Sequence, residues 1–114
     1  EDVDETGKST YVNEGGLRAL HRKVIENPVA GLPVPYHSFK KEDAMPLKVG
    51  EIATIQFEMI PTSVKIARGH RIRIAIAGAD KDNFARIPKE GEPIIRVYHS
   101  RSRPSYVELP VIKD

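Results

Sequence analysis

Serine, histidine and aspartate all occur in this chain of 114 residues, so the first chemistry to consider is a catalytic triad. In many serine hydrolases the nucleophile lies in a Gly-x-Ser-x-Gly turn between a strand and a helix, which exposes its hydroxyl. The chain has six serines, and none lies in such a turn: Ser9, Ser38, Ser63, Ser100, Ser102 and Ser105. Because no local motif supplies the roles of a triad, we expect no catalytic residue here.

Metal-binding chemistry would have to come from the histidines or from an aspartate-rich loop. The four histidines are too scattered for a short-spaced zinc site, and we interpret each as flanking a strand and bonding to backbone: His21, His37, His70 and His99. A calcium loop that starts at Asp80 would need glycine sixth and glutamate twelfth, but Ala85 and Gly91 stand there. We predict a polar turn at 80–83, no metal and no cofactor; a calcium site built from separated loops is the alternative.

The densest basic cluster is Arg68, His70, Arg71 and Arg73. Formal net charge is only +2 and the few aromatic residues are scattered, so we expect no nucleic-acid partner and interpret the cluster as an arginine-rich outer strand. No apolar run approaches the length of a membrane span, so no membrane partner is expected. The chain has no cysteine, which leaves the compartment open, with the cytoplasm preferred.

Alternating apolar residues predict strands over 52–60 and 71–77, and further strands over 94–99 and 106–112. Residues 40–45 could form one helical turn at most. Short strands separated by Gly- and Pro-containing turns favour an all-β fold, an antiparallel β-sandwich. The residues expected to be buried are Ile55, Phe57, Ile72, Ile74, Ile76 and Leu109.

The first half of the chain is less regular. The acidic string before Gly7 predicts a hairpin turn, with an outgoing strand over 8–20 and an incoming strand expected before Glu1. Inside the outgoing strand, Gly15-Gly16 indicates a bulge or a close backbone approach. Prolines in the segment of about 21–50 predict a long loop, which needs a surface to lie on.

Several blocks of the sequence resemble one family in order and over nearly the whole chain. They are similar to the carboxy-terminal domain of the X-Pro dipeptidyl-peptidase and cocaine-esterase family. The matching blocks are NEGGLRALHR at 13–22, PYHSF at 35–39, DA at 43–44, PL at 46–47, EMIPTS at 58–63, GHRIRI at 69–74, VYHS at 97–100 and PSY through LPV at 104–111.

This resemblance implies a jelly-roll, galactose-binding-like sandwich, of which residues 1–114 would supply only about the carboxy-terminal half. It also implies a preceding α/β-hydrolase domain with a Ser-His-Asp triad, which hydrolyses an ester or amide through an acyl-enzyme. The parent would be an acylase, an esterase or an X-Pro dipeptidyl-peptidase-like enzyme. No catalytic residue of the family maps onto this chain.

The function expected is therefore a non-catalytic structural and interaction domain that packs on a catalytic α/β-hydrolase domain. Tyr36, His37 and Phe39 in the long loop are the candidate contact residues. Self-association through an open strand edge is the other partner expected. The alternative is a carbohydrate-binding β-sandwich module, which ranks lower because the chain has no Trp and its tyrosines are not clustered. A self-sufficient enzyme is disfavoured by the missing nucleophile turn.

Overall fold

The computed structural model describes residues 1–29, 31, 34–87 and 89–112. The chain forms two compact units, Glu1–Ile74 and Ala75–Asp114, and each is described by itself. The described chain is mostly non-helical. Its helical elements are two single 3₁₀ turns, Ala19–His21 and Lys41–Asp43, the second of which confirms the short turn predicted within 40–45. Among the described residues, none belongs to an apolar helix of membrane-spanning length.

The first unit holds an antiparallel sheet of three short strands: β1 (Asp2–Val3), β2 (Ser9–Thr10) and β3 (Arg71–Ile72). Their order is β2-β1-β3, so β1 is central and the other two are edges of this sheet. The register places Asp2 opposite both Thr10 and Ile72.

The predicted hairpin turn lies between β1 and β2. Asp4 organises it, since its Oδ1 accepts hydrogen bonds from the backbone N–H of Thr6 at 2.9 Å and of Lys8 at 2.9 Å. Gly7 has a φ of 89°, a left-handed conformation that glycine adopts without steric cost. The turn is confirmed, but the expected position of the incoming strand before Glu1 is wrong. Asp2 and Val3 form the incoming strand. This strand pairs with β2 on one side and with β3 on the other.

The predicted outgoing strand over 8–20 is much too long, because only Ser9–Thr10 pairs with β1. Further along, the chain instead lies against the segment around Ile60, whose backbone N–H donates to Glu14 O at 3.3 Å. A Cβ built on Gly15 would lie 2.7 Å from Glu58 O, so the predicted close backbone approach is confirmed there. Gly16 has open space around it.

The predicted core is wrong for this chain. The six residues expected to be buried have side chains 40–62% exposed, and Val3 and His37 are the buried residues of the described chain. Segments 52–60, 94–99 and 106–112 are not strands either. Alternation specifies which face of an extended segment is apolar, but a ladder needs a neighbouring strand and burial needs a covering layer.

The second unit is organised by turns. Asp80 accepts hydrogen bonds from the backbone N–H of Asp82 at 3.1 Å and from Nδ2 of Asn83 at 2.6 Å, which confirms a polar turn at 80–83. These bonds hold the pKa of Asp80 below its ordinary value, with the Asn83 bond the largest cause. Ser100 and Arg103 form an isolated antiparallel bridge around the turn at 101–102.

Candidate functional site

The long loop over residues 21–50 is here called the docking loop, after the contact that the sequence analysis predicts for it. Contacts at its two ends close it. The backbone N–H of Met45 donates to Leu20 O at 2.8 Å. Arg22, whose side chain is only 8% exposed, donates to Ala19 O and pairs with Glu51 Oε1 at 2.9 Å. The Lys48 backbone N–H and then the Arg22 charge hold the pKa of Glu51 below its ordinary value. The docking loop is therefore a closed structure with a defined base.

His37 joins the docking loop to the segment that follows it. Its residue is buried, its Nδ1 lies 2.9 Å from Lys23 O, and its Nε2 lies 2.8 Å from Gln56 O. A neutral imidazole has one N–H and so donates to one carbonyl at a time, whereas an imidazolium donates to both. The backbone role expected for this histidine is confirmed. In this arrangement His37 is an internal residue that links two backbone segments.

A polar turn supports the residues after His37. Ser38 Oγ donates to Asp43 Oδ2 at 2.6 Å and accepts from the backbone N–H of Lys40 at 3.2 Å. Asp43 also forms an ion pair with Lys23. The Lys23 hydrogen bond, followed by that from Ser38, lowers the pKa of Asp43 below its ordinary value of 3.8. An ionised Asp43 thus ties both ends of the turn to the base of the docking loop.

Phe39 stands at the apex of this turn in an unusual conformation. Its φ is 56°, and among the described residues it alone is a non-glycine with positive φ. The residue is 62% exposed, and its phenyl ring lies beside two imidazoles, with ring centroids 5.3 Å from His21 and 6.1 Å from His37. A bulky residue pays a steric cost in the left-handed region, and such strain clusters at functional positions.

Tyr36 lies at the edge of the same group of residues. It forms an isolated antiparallel bridge with Ile25, whose backbone N–H donates to Tyr36 O at 3.0 Å, and the residue is 36% exposed. Pro33, one of the prolines of the predicted long loop, lies outside the described residues. The sequence analysis did not select Lys23, Ser38 or Asp43 as candidate residues. Ser38 and Asp43 could have been found from the pattern of a serine followed shortly by an acidic pair.

A carboxylate–imidazole pair lies at the sheet. His70 Nδ1 is 3.0 Å from both carboxylate oxygens of Asp2, and the contact is partly buried. Ser9 pairs with Val3 rather than with Asp2, so the alternation of side chains places Ser9 on the opposite face. The described sheet thus brings together two members of a triad without a serine, and the pair joins β1 to the residue before β3.

Comparison with known proteins gives the family of this chain. Residues 1–108 match the family described as the X-Pro dipeptidyl-peptidase C-terminal non-catalytic domain. The chain belongs to this family. The resemblance seen in the sequence blocks is confirmed.

The relatives of this domain are named esterases. A serine esterase of Mycobacterium bovis and one of Mycobacterium tuberculosis are each 49% identical over 114 residues, which is 99% of this chain and 18% of theirs. The cocaine esterase of a Rhodococcus species is 23% identical over 124 residues, which is 98% of this chain and 19% of the esterase. The chain therefore spans about a fifth of the length of these relatives. No solved structure matches it significantly.

Proposed function

We propose that this chain is the non-catalytic structural and interaction domain of a serine-type ester or amide hydrolase, and that it packs on the catalytic α/β-hydrolase domain. The observation that carries the proposal is the match of residues 1–108 to a domain family described as C-terminal and non-catalytic. Relatives named esterases cover the chain almost completely and continue far beyond it.

The exposed surface supports a covering partner. Apolar side chains contribute to this surface, because the alternating isoleucines Ile72, Ile74 and Ile76 are 56–62% exposed. Large apolar surfaces of this kind are typical of protein interfaces. In our proposal the remaining half of a jelly-roll sandwich and the catalytic domain cover them.

The docking loop is the proposed contact with the catalytic domain. Phe39 is an exposed aromatic residue in a turn that the Ser38–Asp43 hydrogen bond stabilises, so little backbone freedom remains to be lost on binding. Tyr36 adds a second aromatic residue of the same loop, which is 36% exposed. His37 contributes indirectly, because its two carbonyl contacts hold the loop in place.

An esterase assay tests the catalytic part of this proposal. The parent hydrolase should cleave p-nitrophenyl esters, and the isolated chain should not exceed a heat-denatured control, because no nucleophile turn is present. Burst-phase acylation of any of its serines would contradict the assignment.

A variant pair tests the contact. In the parent, Phe39→Ser should lower the unfolding temperature and loosen the domain towards limited proteolysis. Phe84→Ser is the matched control, because Phe84 is also exposed, at 68%, but lies outside the docking loop. Equal effects of the two substitutions would argue against contact through Phe39.

A further inference from the structure

The outer edge of β3 has main-chain groups that point away from the sheet. On the inner side, the Glu1 amino group donates to Arg73 O at 3.0 Å, and the Arg73 N–H donates to Glu1 O at 2.9 Å. Bonded pairs alternate along an antiparallel ladder, so the N–H and C=O of the intervening Ile72 face outwards. The same alternation directs those of Ile74 outwards.

Apolar side chains accompany this edge. Ile72 and Ile74 are 56% and 61% exposed, and they lie on one side of the extended segment because their spacing is two residues. Arg71 and Arg73 occupy the other side, where Arg73 Nε pairs with Glu1 Oε2 at 2.5 Å. A row of outward main-chain groups beside exposed isoleucines is a template for another strand.

We propose that an extended strand from the rest of the parent polypeptide pairs with the outer edge of β3 and extends this sheet to four strands. The inference rests on the proposed function, which supplies that polypeptide. The strand carries apolar residues opposite Ile72 and Ile74, and an acidic residue near Arg71 complements its charge.

Two observations favour this occupant over a second copy of the chain. A two-fold pairing that joins residues 71–73 with their own copy would oppose like charges, since centring on Ile72 places Arg71 opposite Arg73 and centring on Arg73 places that arginine opposite itself. Like charges directly opposite each other destabilise a pair of strands. In addition, the named esterases extend well beyond the matched region, so their chains contain sequence from which such a strand could come.

Amide hydrogen exchange of the intact parent hydrolase tests the pairing. The amides of Ile72 and Ile74 should exchange at least about 100-fold more slowly than unstructured amides, as expected of a ladder within a folded core. The Arg73 amide, already bonded to Glu1, is the internal reference. Fast exchange at Ile72 and Ile74 with a protected Arg73 would overturn the proposal. Protection that rises with protein concentration would also overturn it, because it would indicate a second copy.

Two substitutions at one position separate the main chain from the side chain. Ile74→Pro removes the outward N–H, and Ile74→Ala keeps it while shortening the side chain. In the parent, the proline variant should unfold at a clearly lower temperature than the alanine variant and should lose the protection of Ile72. Equal unfolding temperatures with Ile72 still protected would overturn the pairing. An ester-cleaving parent with an unprotected edge refutes this inference alone, whereas a parent without hydrolase activity refutes the proposed function.

Discussion

Nε2 of His37 lies 2.8 Å from the carbonyl oxygen of Gln56, which is 19 residues further along the chain. On the other side of the ring, Nδ1 faces Lys23 O at 2.9 Å, so one buried side chain connects two separate stretches of backbone. Both contacts are partly buried, so water competes with them less than it does at a fully exposed site. His37 therefore stabilises the conformation of the docking loop and also holds the loop against the segment at Gln56.

Replacement of His37 should destabilise the docking loop. His37→Ala removes both contacts and should lower the free energy of unfolding by about 1–2 kcal/mol, the net cost of the lost hydrogen bonding at a partly buried position. Urea denaturation gives the value. His99→Ala is the control, because His99 is exposed in the second unit and should change stability by less than about 0.5 kcal/mol. Similar losses of unfolding free energy in both variants would mean that the contacts of His37 do not stabilise the docking loop.

The glycine pair provides a matched steric test. Gly15→Ala places a Cβ against the Glu58 carbonyl oxygen, so it should destabilise the domain by about 1–3 kcal/mol. Gly16→Ala meets open space and should be neutral or stabilising by about 0.4–1 kcal/mol, because alanine restricts the unfolded chain. Thermal unfolding of the two variants distinguishes them, and a reversed order would contradict the close approach.

The contacts of Asp43 with Ser38 and Lys23, which stabilise the turn that contains Phe39, should be sensitive to acid. The pKa of Asp43 is held below 3.8 by Lys23 and Ser38, so ionised Asp43 stabilises the folded state. This stabilisation is fully present above the unfolded value and is lost as pH falls through the lowered folded value. Asp43→Asn should remove part of the loss of stability seen between about pH 5 and about pH 2. Urea midpoints across this range measure the change.

The exposed Glu42 provides the control for Asp43. Glu42→Gln should leave the acid dependence close to that of the unmodified domain, because its contact with Lys40 is long, at 3.9 Å between two exposed side chains. If Asp43→Asn and Glu42→Gln gave the same pH profile, the bonds of Asp43 would not be the source of the effect.

Phe57 reports whether another layer covers the alternating segment. Because Phe57 is 42% exposed, Phe57→Ala should cost about 1–2 kcal/mol in the isolated chain. In the parent hydrolase, where we propose that the rest of the sandwich lies over this face, the cost should rise to about 3–5 kcal/mol. Chemical denaturation of both proteins makes the comparison. Equal costs would show that nothing further covers Phe57.

Local features were predictable because neighbouring residues determine them. The turn at Gly7 follows from an acidic side chain that accepts nearby backbone N–H groups and a glycine that tolerates positive φ. The short helical turn at Lys41–Asp43 and the polar turn at Asp80 follow from similar short-range bonds. The close approach at Gly15 was also predictable in kind, although its partner, Glu58, was not.

The buried residues and the strand lengths were not predictable in this way. Period-two alternation correctly described Ile72 and Ile74 as one apolar side of an extended segment. Their burial depends on a second layer, and their pairing depends on a neighbouring strand, so neither follows from the alternation. The left-handed Phe39 was missed for a related reason, because a positive φ at a bulky residue arises from surrounding contacts against its local preference.

The sequence by itself determined the family of this domain, its main turns and the absence of a nucleophile turn, because these reside in motifs read along a few residues. Only the tertiary structure decided that Asp2 and Val3 form the central strand and that β3 has an outward edge. It also decided that His37 links two backbone segments inside the fold and that Phe39 is the exposed aromatic residue beside it. These properties depend on contacts between residues far apart in the chain, whose partners no local pattern specifies.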